Sequence, residues 1–88
     1  SFRSPAPMSV PELIMLLEDA LRGRYGGTVR AKGILETGGG YVRFDLADGL
    51  YSITGADGVS TEPQCVFIGQ QLRPAEIAAR LADPDAFI

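Results

Sequence analysis

Four features of this 88-residue chain carry the residue types that chemistry uses. They are the run Gly38-Gly39-Gly40, the single cysteine Cys65, the carboxylates Asp57, Glu62, Asp83 and Asp85, and the basic trio Arg30, Lys32 and Arg43. A glycine run can cradle phosphate, but a Walker loop needs G-x-x-x-x-G-K-[ST] leading into a helix. Here Tyr41 follows and an alternating strand pattern comes next, so the run is expected to be a hairpin turn and no nucleotide site. Cys65 could be a nucleophile or a metal ligand. It stands beside Val66 and Phe67 with no basic neighbour to lower its pKa, so a small core hydrophobe is expected. The four carboxylates lack the alternating spacing of an EF-hand and read as solvated turn residues. The chain has no histidine. That excludes Ser-His-Asp and Cys-His catalysis and leaves Cys65 without the partners a zinc site needs. No catalytic, cofactor or metal site is therefore expected within these residues.

Whether Arg30, Lys32 and Arg43 act together depends on the elements that hold them. Ser9 with Glu12 three residues on is a capping-box pattern, and Pro11 is tolerated in a first helical turn. Val10, Leu13, Ile14, Leu17, Ala20 and Leu21 then follow the i, i+3, i+4, i+7 spacing of an apolar helical stripe, and Gly23 can end the helix in the left-handed conformation. Met15, Glu18, Asp19 and Arg22 would point mostly outward. Before the helix, Phe2 to Ser4 reads as a short edge strand, since Pro5 and Pro7 forbid a longer central one.

Residues 28–55 read as a three-strand meander. A two-residue primed turn at Gly38-Gly39 sets Glu36 opposite Tyr41, Ile34 opposite Arg43, Gly33 opposite Phe44 and Lys32 opposite Asp45. Asp48-Gly49 sets Leu46 opposite Tyr51 and Phe44 opposite Ile53. Both turns then agree on one apolar face (Val29, Ala31, Gly33, Leu35, Val42, Phe44, Leu46, Tyr51, Ile53), and a one-residue slip in either would mix the two faces. The other face collects Arg30, Lys32, Ile34, Glu36, Tyr41, Arg43 and Asp45. Its cations could form a cross-strand network with Asp45 and Glu36. Ile34 and Tyr41 beside arginines, however, resemble an interaction surface, so Arg30, Lys32, Ile34, Tyr41 and Arg43 are the candidate interaction face. Gly55 to Pro63, with a turn signal at Asp57-Gly58, reads as a loop. The apolar run Cys65-Val66-Phe67-Ile68 suits a strand buried on both faces or inside the sheet. Pro74 opens a second helix with Ile77, Ala78 and Leu81 as its apolar side, and Pro84 closes it. Residues 84–88, like residue 1, are expected to be flexible, with Phe87 and Ile88 able to dock back. The expected fold is α+β: an antiparallel sheet of four to five strands with two helices on one face, in the order β-α-β-β-β-β-α.

Length and composition bound the rest. Residues 1–88 suffice for a single domain. A formal charge of −3, with eight basic against eleven acidic residues, provides no basic footprint for nucleic acid. No apolar run is long enough for a membrane helix, and one cysteine demands no oxidising compartment, so a cytoplasmic location is expected. The chain begins at Ser1 rather than methionine, which suggests a fragment of a larger protein.

The opening Ser1 to Pro7, the strand Arg30-Ala31-Lys32-Gly33, the later strand Val66-Phe67-Ile68-Gly69, and Leu72 before a final helix resemble, in that order, the C-terminal domain of CobW-type proteins over about residues 2 to 82. The motif residues are Arg30, Lys32, Gly33, Val66, Phe67, Ile68 and Gly69. The resemblance implies a P-loop GTPase domain elsewhere in the parent protein, holding GTP and a divalent metal, and a link to cobalamin biosynthesis or metal delivery. It implies for this domain a non-catalytic regulatory or partner-recognition role, with its own N-terminal GTPase domain and a client metalloprotein as partners. Many relatives carry histidine and tryptophan before the second motif strand, and this chain has neither. The alternatives are a stand-alone small-molecule or anion-binding module using Arg30, Lys32 and Arg43, or a dimerisation module working through a sheet edge or the polar face.

Overall fold

The computed structural model describes residues 1–56 and 62–87, with the side chains of residues 86 and 87 left aside. The elements are β1 (Phe2–Arg3), α1 (Val10–Leu21), β2 (Gly27–Thr37), β3 (Gly40–Ala47), β4 (Leu50–Gly55), β5 (Gln64–Gln70), α2 (Pro74–Ala82) and a 3-10 turn at Pro84–Phe87. All strand pairs are antiparallel, in one sheet ordered β1-β5-β2-β3-β4. Leu13, Leu16 and Leu17 of α1 and Ile77 and Leu81 of α2 share one core with Ala31, Leu35, Phe44, Leu46, Cys65 and Phe67 of the sheet. Burying a side chain of this size stabilises by roughly 1.5–3 kcal/mol. The fold is α+β with the expected element order.

The meander has the register that its apolar alternation and turns demand: Leu35 faces Val42, Gly33 faces Phe44 and Phe44 faces Ile53. The β3–β4 turn is primed, with Asp48 at φ 54 and Gly49 at φ 76. The β2–β3 turn is not. There Gly40, at φ 133, takes the positive angle rather than Gly38 or Gly39. The Thr37 hydroxyl donates to the Gly40 carbonyl at 2.7 Å and accepts from the Gly39 N–H at 3.3 Å.

Several expectations need correction. Val29 is not on the apolar face: the ladder slips between Thr28 and Arg30, and this β-bulge leaves Val29 63% exposed. The β5 run is not buried on both faces: Cys65 and Phe67 are buried, Val66 is half-buried and Ile68 is exposed. The buried stripe of α1 runs through Leu13, Leu16, Leu17 and Ala20, while Val10, Ile14 and Leu21 are exposed. In α2 Ala78 is exposed and Arg80 is buried. Asp19, read as outward, is a partner of that arginine.

The helix ends follow their sequences. Ser9 Oγ accepts from the Glu12 N–H at 3.2 Å, and Glu12 Oε1 accepts from the Ser9 N–H at 2.8 Å. Gly23, at φ 86, leaves α1 in the left-handed region. α2 stops at Ala82, and Pro84, in the segment expected to be a tail, is buried within the 3-10 turn. The Asp57-Gly58 turn signal and any docking by Phe87 and Ile88 lie outside the described residues and side chains.

Candidate functional site

The two motifs read separately in the sequence form one ladder in the middle of the sheet. Arg30 pairs with Ile68, Ala31 with Phe67, Lys32 with Val66 and Gly33 with Cys65. Their glycines are packing requirements. A Cβ on Gly33 would lie 2.5 Å from Cys65 Cβ and 2.6 Å from the Gln64 carbonyl oxygen. One on Gly69 would lie 2.1 Å from the Gly27 oxygen, beside the bulge. The motif residues thus bring β2 and β5 close together and fix what projects on either side.

On the side away from the helices the ladder produces rows across the strands. Ile68, Arg30, Ala47 and Leu50 make one, Val66, Lys32, Asp45 and Ser52 the next, and Arg3, Gln64, Ile34, Arg43 and Thr54 a third. Glu36 and Tyr41 stand beyond them. All five residues of the candidate interaction face therefore lie on one open surface. Arg30, Lys32 and Arg43 are exposed, and Ile34 and Tyr41 are half-buried. A depression of about 450 Å³ is lined by Arg30, Lys32, Ile34, Arg43, Gln64 and Val66. Gln64 and Val66 are additions that sequence reasoning missed. Their signal is the alternation of β5, legible only once β5 is known to lie beside β2.

The charges on this face are unevenly engaged. Asp45 pairs with Arg30 at 3.6 Å, not with Lys32 opposite it. Arg3 meets Glu62 at 3.7 Å with both side chains largely exposed, which is worth little in water. Lys32 and Arg43 make no ion pair among the described residues. The helix side differs: Arg22 reaches Glu18 at 3.6 Å, Arg24 reaches Asp19 at 3.3 Å and Arg73 reaches Glu76 at 3.8 Å. Arg80, only 2% exposed, donates from one nitrogen to Asp19 Oδ2 at 2.9 Å and to the Tyr25 hydroxyl at 2.6 Å. Burial pushes the Tyr25 phenol pKa up. This buried group ties α2 to α1 and to the turn before β2, a structural role that the sequence did not announce.

The remaining chemical candidates are dispersed. Cys65 is buried, and burial pushes its thiol pKa up to about 12, against reactivity. Glu62 is exposed, Asp83 caps α2, and Asp57 lies outside the described residues. Asp85 alone meets another carboxyl: a hydrogen bond shared with Glu12 raises Asp85 and lowers Glu12. Among the described residues Glu12 Oε2 otherwise finds no donor. Among the described residues no three His, Cys, Asp or Glu side chains group as metal ligands. Among them no helix is long and apolar enough to cross a membrane.

Comparison with known proteins bears on this arrangement directly. The family model described as the cobalamin synthesis protein CobW C-terminal domain matches residues 1–84. The chain belongs to that family. Among solved structures, the Zn(II)-bound YjiA GTPase from E. coli superposes with a TM-score of 0.68 at 28% identity, covering 84% of this chain and 25% of that one. No curated protein matches significantly. The chain thus corresponds to about a quarter of the YjiA chain.

Proposed function

We propose that this CobW C-terminal domain is a non-catalytic recognition module of a YjiA-like GTPase, and that it docks its partner on the open sheet face through Arg30, Lys32, Ile34, Tyr41 and Arg43. One observation carries the reading: two exposed cations with no ion-pair partner among the described residues, Lys32 and Arg43, flank half-buried Ile34 in a depression of about 450 Å³, on strands joined in one antiparallel ladder. Antiparallel ladders fix such side chains relative to each other, and preorganised cations beside apolar surface suit the core and rim of a protein interface.

The partner is the GTPase domain of the parent protein, or a client metalloprotein presented to it, in the cytoplasm. The family's name supports a place in cobalamin biosynthesis or metal delivery, with GTP and the divalent metal held outside these 88 residues. The domain then acts by binding: the nucleotide state of the GTPase domain changes how the face is presented. Replacing Tyr41 by Ala together with Arg43 by Glu is expected to weaken association with the GTPase domain or client at least about tenfold, a loss of roughly 1.4 kcal/mol. The loss should shrink as salt rises. Unchanged association, measured by calorimetry, would refute this use of the face. The depression also suits a phosphate-bearing small molecule. In that reading pyrophosphate or a nucleotide raises the melting temperature, and the Arg43→Glu substitution abolishes the effect.

A further inference from the structure

The two edges of the sheet are treated differently. β1 is two residues long and is followed by Pro5, the short, proline-guarded edge that keeps strands from pairing between molecules. Among the described residues β4 has no such protection. Its six residues, Leu50-Tyr51-Ser52-Ile53-Thr54-Gly55, include no charge and no proline, and its ladder with β3 runs without a bulge. None of the six is buried, although opposite them Phe44 and Leu46 of β3 are. In a two-residue hairpin the flanking residues, here Ala47 and Leu50, exchange hydrogen bonds, and the pattern alternates from there. Ser52 and Thr54 therefore bond to β3, while Tyr51, Ile53 and Gly55 turn their N–H and C=O groups to the open edge.

The helix above this edge is also uncovered. The Tyr51 hydroxyl donates to Glu18 Oε2 at 3.0 Å, so the Glu18 side of α1 lies over β4. Ile14 and Leu21, four before and three after Glu18, share that side. With Val10 they form an apolar row in which each residue is 37–38% exposed.

We propose that β4 is the seam of a homodimer in which two copies of the chain join their sheets antiparallel about a two-fold axis through Ser52. The geometry selects a second copy as the occupant. With the axis normal to the sheet, both helix layers stay on one side, and Tyr51 meets Ile53 of the second copy in two symmetric pairs. Both residues point their backbone groups outward, so each pair closes two hydrogen bonds. Aromatic with β-branched is also a favourable cross-strand combination. The α1 row meets its own copy, apolar against apolar, and an uncharged strand has nothing to repel itself. A strand edge alone falls short of the roughly 800 Å² per partner of a stable interface, so the α1 row belongs to the interface and the association is concentration-dependent.

Sedimentation of the chain from roughly 10 µM to 1 mM, a range that brackets weak association, should show a shift from the monomer mass to twice it. The substitution Ser52→Lys places ammonium groups against each other at the axis, while within one copy the new side chain faces Asp45. It should leave the chain monomeric throughout, with circular dichroism unchanged and with melting unchanged at dilutions where the wild type is monomeric. Ser52→Cys tests the register. At a non-hydrogen-bonded pair the Cα atoms lie about 4.5 Å apart, within disulfide range, so mild oxidation should give a covalent dimer. Buried Cys65 does not compete. A wild-type chain that stays monomeric, a dimer that survives Ser52→Lys, or a Ser52→Cys chain that fails to cross-link would each overturn the proposal. The seam borders the open face, with Ser52 in the row of Lys32 and Asp45, but Arg43→Glu leaves the β4 edge intact and sedimentation reads only self-association, so failure of the seam and failure of docking at Arg43 are distinguishable.

Discussion

Gly33→Ala puts the central ladder to the sharpest test. The added Cβ would lie 2.5 Å from Cys65 Cβ, 2.6 Å from the Gln64 carbonyl oxygen and 2.8 Å from Cys65 Cα. Comfortable carbon contacts begin near 3.5 Å, so β2 and β5 would have to separate by roughly 1 Å. Two of the three offending atoms are backbone, and no side-chain rotation relieves them. Overpacking of this kind costs about 1–3 kcal/mol, and the rigidity of the obstacle places Gly33→Ala at the upper end, about 2–3 kcal/mol. A chain of 88 residues has about 4–13 kcal/mol in total, so the substitution removes a large share. Urea unfolding followed by circular dichroism should show a lower midpoint at unchanged slope, and melting should fall by roughly 10–20 °C. Gly38→Ala is the control: nothing lies within 4 Å of its Cβ, and the change should stay within about 0.5 kcal/mol. Adding Cys65→Gly to Gly33→Ala removes only one of the three clashes and should restore only part of the loss, a coupling of about 0.5–3 kcal/mol. A Gly33→Ala chain as stable as Gly38→Ala would refute the account of the motif glycine as a close-approach site.

Three further outcomes follow from the buried groups and caps. Tyr25→Phe removes an acceptor from buried Arg80 and should cost about 1–3 kcal/mol in denaturant unfolding. Because the folded Tyr25 pKa is raised by burial, stability should fall as pH rises above about 10, the unfolded value, and the Phe variant should lose that dependence. Glu12 has the opposite sign: its folded pKa is lowered by the bond to Asp85 and by the Ser9 N–H. The stability it contributes is present above the ordinary glutamate value of 4.5 and is lost as pH falls through the folded pKa, which an NMR titration of the Glu12 carboxyl and the Ser9 amide would follow. Cys65, with a thiol pKa of about 12, should resist aromatic disulfide reagents at pH 8 in the folded chain and react at once in urea; fast native labelling would contradict its burial.

The meander was legible because two independent signals, apolar alternation and turn residues, demanded the same register. Where one signal stood alone, it misled. The bulge at Val29 has no glycine or proline to mark it, so simple alternation put an exposed valine in the core. Leu16 was missed because α1 carries more apolar residues than one face can bury. A stripe through Val10, Ile14 and Leu21 is as regular as the buried one, and only packing decides between them. Arg80 sits among alanines in a nine-residue helix, and its burial depends on Asp19 and Tyr25, far away in sequence. The residues of the candidate face were identifiable from strand parity alone. Gln64 and Val66 were not, because nothing local says that β5 lies beside β2.

That last adjacency also has a consequence for how the chain acquires its shape. The final strand in sequence lies inside the sheet, between the first strand and the meander. The two hairpins need only short closures and can form in microseconds. Seating β5 closes a loop from Gly33 to Cys65, whose entropy must be met before its contacts reward it. As the chain leaves the ribosome, β2 therefore waits with a bare edge until residues 64–70 emerge, and a chain cut short of them keeps that edge open to any neighbour. Speed of synthesis through this stretch then governs how long the nascent protein stays vulnerable to misassembly.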